Sequence, residues 1–99
     1  MDRSVLSLKL GQENPIFTPN WTLFTGYSIE ELAEKWTELV HPDDSHHIER
    51  PFVNSRQFDL RLRRHDGQYR WFFVHALFKD PIISMVFIDI EDRKQIHNE

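Results

Sequence analysis

Five side chains able to bind metals or move protons fall close together: His41, Asp43, Asp44, His46 and His47. Such nitrogen and oxygen donors can hold Zn²⁺ or Ni²⁺. A simpler use is that carboxylates ahead of a helix satisfy its free amides. Pro42 interrupts the preceding apolar stretch, and Asp43 or Asp44 is placed to cap a short helix through His46, His47 and Ile48 that Pro51 ends. The capping role is preferred, so no metal is expected, His46 and His47 being the donors one would take. His65, Asp66 and Trp71 invite a catalytic reading, but a turn and a strand account for them. His75 with a carboxylate is the only basis for an alternative as a small α+β enzyme. No serine-histidine-acid set or phosphate-cradling glycine loop is visible, and catalysis is not expected. The absence of cysteine excludes disulfides, thiolate metal sites and cysteine nucleophiles.

The elements that must position these residues are short. Residues 5–10 and 15–18 read as two strands. Asn20 is placed to cap a helix through Trp21, Leu23 and Phe24, which Gly26 ends in a left-handed conformation. Ser28 and Glu31 form a capping box ahead of Ile29, Leu32, Ala33 and Trp36 at helical spacing. Phe58, Leu60 and Leu62 alternate with Asp59, Arg61 and Arg63, as a half-buried strand does. With a two-residue turn at Asp66 and Gly67, Leu62 lies opposite Trp71, Leu60 opposite Phe73 and Phe58 opposite His75. That register turns Trp71, Phe73 and His75 inward. It leaves Phe72, Val74 and Ala76 outside as candidate dimer-face residues. A turn at Asp80 and Pro81 leads to a last strand over 82–90.

The chain has 99 residues, 13% of them aromatic, and fits a single domain over 1–99 with a polar tail from about 91. Twelve basic against sixteen acidic residues, a net charge of −4, give no general pull toward phosphates, and nucleic acid is not an expected partner. No apolar run approaches the ~20 residues that span a bilayer. A soluble, cytoplasmic domain without membrane contact is expected.

Four segments, in order, resemble the PAS sensory-domain family with its terminal PAC motif. They contain Thr25-Gly26-Tyr27, His41-Pro42-Asp43-Asp44, Asp66-Gly67 followed by Tyr69-Arg70-Trp71, and Asp89-Ile90 followed by Arg93-Lys94. The resemblance implies an α+β fold, a five-stranded antiparallel sheet of order 2-1-5-4-3 with short helices on one face. It implies a ligand cavity there, for which Phe24, Trp36, Ile48, Leu60, Trp71, Phe73 and His75 are candidates. The last strand has no glycine, and Met85, Val86 and Phe87 fill space left open in other members. No cofactor is therefore expected. Haem on His46 or His47 and flavin are the alternatives, although the light-sensing members use a cysteine that is absent here. The function implied is a non-catalytic signalling module that binds a small ligand or partner. It would pair as a homodimer or act on an effector such as a kinase or cyclase. Asp89, Glu91 and Arg93 would form the signal junction, with Glu91 where the family usually has threonine.

Overall fold

Leu6 and Leu8 alternate with Val5, Ser7 and Lys9, and this period of two makes Val5–Leu10 a strand (β1) with a fully buried face. The computed structural model describes residues 5–11, 13–50 and 54–92. β1 is followed by β2 (Ile16–Phe17), α1 (Asn20–Thr25), α2 (Ile29–Lys35), 3₁₀ turns at Trp36–Leu39 and Pro42–Asp44, and α3 (His46–Glu49). Three long strands follow: β3 (Ser55–Arg63), β4 (Tyr69–Lys79) and β5 (Ile82–Asp89). They form one antiparallel sheet of order β2-β1-β5-β4-β3. The expected α+β architecture and strand order are therefore observed.

The helices pack on the sheet through large rings. Trp21 is fully buried and meets Phe17 and Phe87 edge-on, with centroids 5.2 and 5.1 Å away. Its indole N–H donates to the Ser7 carbonyl at 2.8 Å, tying α1 to β1. Asn20 does not cap α1 as expected. Its amide instead donates to the Val5 carbonyl at 2.6 Å while its Oδ1 accepts from Thr18. A side chain committed to β1 cannot also satisfy the helix start. The capping box forms as expected, Ser28 Oγ accepting from the Glu31 amide at 3.1 Å and Glu31 Oε1 from the Ser28 amide at 3.2 Å. Leu32 and Leu39 then enter the core.

The hairpin departs from expectation by one residue. Arg63 pairs with Tyr69, Leu62 with Arg70, Arg61 with Trp71, Leu60 with Phe72 and Phe58 with Val74. The Arg64 amide donates to the Gln68 carbonyl at 2.8 Å, and the Gly67 amide to the Arg64 carbonyl at 2.9 Å. His65, Asp66 and Gly67 thus make a three-residue loop, with Gly67 taking the left-handed position at φ 88°. Because strand side chains alternate, this one-residue difference exchanges the two faces. Phe72, Val74 and Ala76 are at most 1% exposed and belong to the core, not to an outer dimer face. Trp71 and Phe73 are half-buried and His75 is exposed, all on the outer face rather than in an interior pocket.

The loop is docked as well as closed. The His65 amide donates to the Thr25 carbonyl at the end of α1 at 2.7 Å, and the Tyr27 and His65 rings meet edge-on. Gly26, at φ 86°, allows that approach, because a Cβ there would lie 2.7 Å from His65 Cβ. A Cβ on Gly67 would meet nothing within 4 Å. Gly67→Ala should therefore cost roughly 1–2 kcal/mol, the left-handed penalty alone. Gly26→Ala should add an overpacking cost of about 1–3 kcal/mol. Urea denaturation of the two variants checks this ordering, and equal losses would refute the docking argument.

Candidate functional site

Of the candidate pocket residues, Leu60 is fully buried, Trp36 is buried, and Phe24 and Ile48 pack against the core. These four share the space between helices and sheet. Bulky side chains occupy it: Phe24 and Phe72 lie 5.1 Å apart, and Phe72 meets Phe87 at 6.3 Å. Met85 and Phe87 point inward as expected, while Val86 is on the outer face. An open cavity of about 330 Å³ lies elsewhere, at the sheet end, lined by Leu10, Ile16, Pro81 and Ile82 with Lys9 and Glu13. The two helix histidines also differ from an interior ligand pair. His46 is exposed, and the His47 ring lies flat on Phe58 at 4.7 Å and 7°. Among the described residues no cluster of three or more metal-ligating side chains is present.

The end of β5 is built more elaborately. Arg70 donates to Asp89 Oδ2 at 2.9 Å while its guanidinium lies 5.5 Å from the Phe24 ring. The other Asp89 oxygen accepts from the Glu91 amide at 2.9 Å. Glu91 Oε2 in turn accepts from the Trp71 amide at 2.8 Å, and the Ile90 amide donates to the Trp71 carbonyl at 3.0 Å. Glu91 and Ile90 thus hold both backbone polar groups of Trp71 beyond the end of the β5 ladder. Glu91 uses a carboxylate to accept an amide proton, as a threonine hydroxyl also can. Arg93, the third residue expected at this junction, lies outside the described residues.

Trp71 is also held through its ring. The Arg61 guanidinium lies 4.5 Å from the ring centroid, within cation–π range. Asp44 fixes that guanidinium, accepting from Arg61 Nε at 2.9 Å, from Nη2 at 3.0 Å and from the Arg61 backbone amide at 2.8 Å. Asp44 is therefore not the cap of the next helix. Asp43 does not cap it either: α3 starts after Ser45 without a side-chain cap, and the Asp43 amide donates to His41 Nδ1 at 3.0 Å at the start of the Pro42–Asp44 turn. Burial alone would push the Asp44 carboxyl up. The Arg61 bonds and charge, with a contribution from His41, outweigh this and hold it below the usual carboxylate range.

The His41 amide donates to the Arg61 carbonyl at 2.9 Å, and Val40 bridges to Leu62, so this segment covers the outer edge of β3. A connected path runs from the helix layer around that edge: Asp44, Arg61, Trp71, Glu91. Sequence reasoning marked Glu91 as a junction residue, expected Asp44 as a helix cap and Trp71 in the inner pocket, and missed Arg61. The available signal was an arginine one position from the buried Leu60 and Leu62, facing a run of acids that must cover an edge strand.

The fold agrees with the comparisons. The PAS fold family matches residues 16–80, and the chain belongs to that family. A search of curated proteins found no match. Among solved structures, the chain is similar to a sensory box histidine kinase/response regulator from Burkholderia thailandensis, with a TM-score of 0.71 and 21% identity over 97% of this chain and 84% of that one. It is similar to the N-terminal domain of a diguanylate cyclase with PAS/PAC sensor from Marinobacter aquaeolei, with a TM-score of 0.75 and 16% identity over 91% and 98%. An RNA-binding light-oxygen-voltage receptor matches with a TM-score of 0.73 and 14% identity. This chain spans 96% of itself but 30% of that receptor.

Replacing Asp44 by Asn keeps one acceptor and strands the Arg61 charge. Asp44→Asn should cost about 2–3 kcal/mol near neutral pH, as for a largely buried charge-assisted pair. With the folded-state pKa lowered, the parent's advantage is complete above the unfolded value near ~4 and is lost as pH falls through the folded value. Denaturation curves at several pH values should show the two proteins converging in acid.

Proposed function

We propose that this domain is a non-catalytic sensory module that binds a small ligand or a protein partner. It passes the resulting change through the end of β5 to an effector such as a kinase or cyclase. The single observation that supports this reading most is the carboxylate junction, in which Asp89 and Glu91 tie the chain leaving β5 to Arg70 and to the Trp71 backbone. A change at the helix layer that moves Asp44 or Arg61 alters what Trp71 offers to Glu91. A binding event shifts output only if it favours one such arrangement over the other.

Contact with a second copy or the effector is assigned to the outer sheet face. Exposed Leu77 and Val86 there adjoin half-buried Phe73 and Ile88, with Phe73 paired to Ile88 and Val86 to His75. The absence of a nucleophile-base pair in the sequence supports a binding role over chemistry at His75. Haem and flavin are the rival ligands, which an absorption spectrum of purified protein would reveal, and native mass spectrometry would report any other bound mass.

In the signalling polypeptide that carries this domain, Asp89→Ala should uncouple output from stimulus while costing about 1–3 kcal/mol of stability, its carboxylate being largely buried against Arg70. Output with the parent's full range would mean that the junction is only a strand end. Val86→Glu should convert a dimeric parent to a smaller species in sedimentation. Unchanged sedimentation of the folded variant would remove this face from the interface.

A further inference from the structure

α3 is one turn long, and at its start Ser45 makes no side-chain capping bond to the helix. Its Ile48 and Glu49 amides both donate to the Ser45 carbonyl at 3.1 Å, a small anchorage for a segment lying over the core. Much of the rest comes from rings. The His47 imidazole stacks on Phe58, and the Phe58 ring also lies 5.4 Å from the Arg56 guanidinium, whose Nη2 donates to the His47 carbonyl. Ile48 packs against the core beside this stack.

The charges around the imidazole are mostly positive. His46 lies with its ring 4.0 Å away on the same helix, Arg50 follows the helix and Arg56 faces it from β3. The opposing charge is Asp44, from the preceding 3₁₀ turn, whose oxygens are already engaged by Arg61. A neutral imidazole suits this place, while an imidazolium there would be partly buried among cations. Consistent with that, burial first, and then the His46, Arg56 and Arg50 charges, push the His47 imidazole below its ordinary value against the pull of Asp44.

We propose that α3 is an acid-released strap, held over Phe58 by the neutral His47 ring and freed when that ring takes up a proton. Release uncovers Phe58 and loosens Ile48, opening the helix layer toward Leu60. The device is separate from the junction, since it rests on the stack of His47 on Phe58, with Asp44 the one group shared with the path to Glu91. Its sign follows from linkage: His47 binds a proton more readily in the released state. The strap is fully closed above the ordinary imidazole value of about 6.5 and is progressively released as pH falls below it toward the folded-state value.

The test is isoleucine-methyl and histidine-ring NMR on the 99-residue chain between about pH 7.5 and pH 5, the interval in which imidazoles titrate. The His47 ring signals should titrate below about 6.5, and the Ile48 methyl signal should shift with the same midpoint. In His47→Phe, which keeps a ring on Phe58 without a titrating nitrogen, the Ile48 signal should no longer move. His46→Gln should retain the Ile48 shift in the parent's direction. An Ile48 signal that is pH-independent in the parent, or that moves as far in His47→Phe, would overturn the proposal. So would a His47 midpoint at or above the ordinary value. Should His47→Phe fail to fold, the parent titration and His46→Gln still decide the matter.

Discussion

The three-residue loop between β3 and β4 is the constraint on which the rest of this structure depends. Gly67 takes the left-handed position and Asp66 Oδ1 accepts from the Gln68 amide at 2.9 Å, so the loop closes one residue away from a two-residue turn. That single residue selects which face of an eleven-residue strand enters the core. Phe72, Val74 and Ala76 are buried because of it, and Trp71 stands outside where Arg61 can cover its ring. The alternative register would bury Trp71, Phe73 and His75, and would turn Phe72 to solvent. The contact between His65 and the Thr25 carbonyl adds a tertiary reason for the observed choice, since the loop must present its amide to the end of α1.

Arg61 occupies a position that such a register makes available. It is on the outer side of an edge strand, yet its guanidinium is held by a carboxylate from the segment that follows the helices. The segment from Val40 to Asp44 therefore has two effects. It satisfies backbone groups on the β3 edge that would otherwise be open to strand addition, and it fixes the cation lying on Trp71. Glu91 then takes the Trp71 amide. Helix layer, sheet edge and strand end are in this way joined by directional, charge-assisted contacts.

The core gives the helix layer a complementary character. Edge-on rings of Phe17, Trp21, Phe24, Phe72 and Phe87 fill the space between α1 and the sheet. At the other end of the helix layer, α3 covers Phe58 with an imidazole whose charge depends on pH. The part of the interior nearest α3 is thus closed by a weaker element than the part beneath α1, where the Trp21 and Asn20 side chains both bond to the β1 backbone. Uneven stability of this kind places low-cost opening at one end of a domain.

The sequence by itself determined the element order, the capping box at Ser28 and Glu31, the left-handed Gly26, and the family to which the motifs point. Each depends on local chemistry or spacing within a few residues. The family resemblance also implied a junction at Asp89 and Glu91, where a carboxylate at a strand end can hold nearby amides or an arginine. Tertiary structure decided the sheet face, because a period of two is the same pattern in either register and only the closed loop chooses between them. It decided the partners of Asn20 and Asp44, whose oxygens suit a helix start as well as a distant strand. Arg61 and Asp44 are seventeen positions apart, and nothing short of the chain folding around the β3 edge brings a carboxylate to that guanidinium.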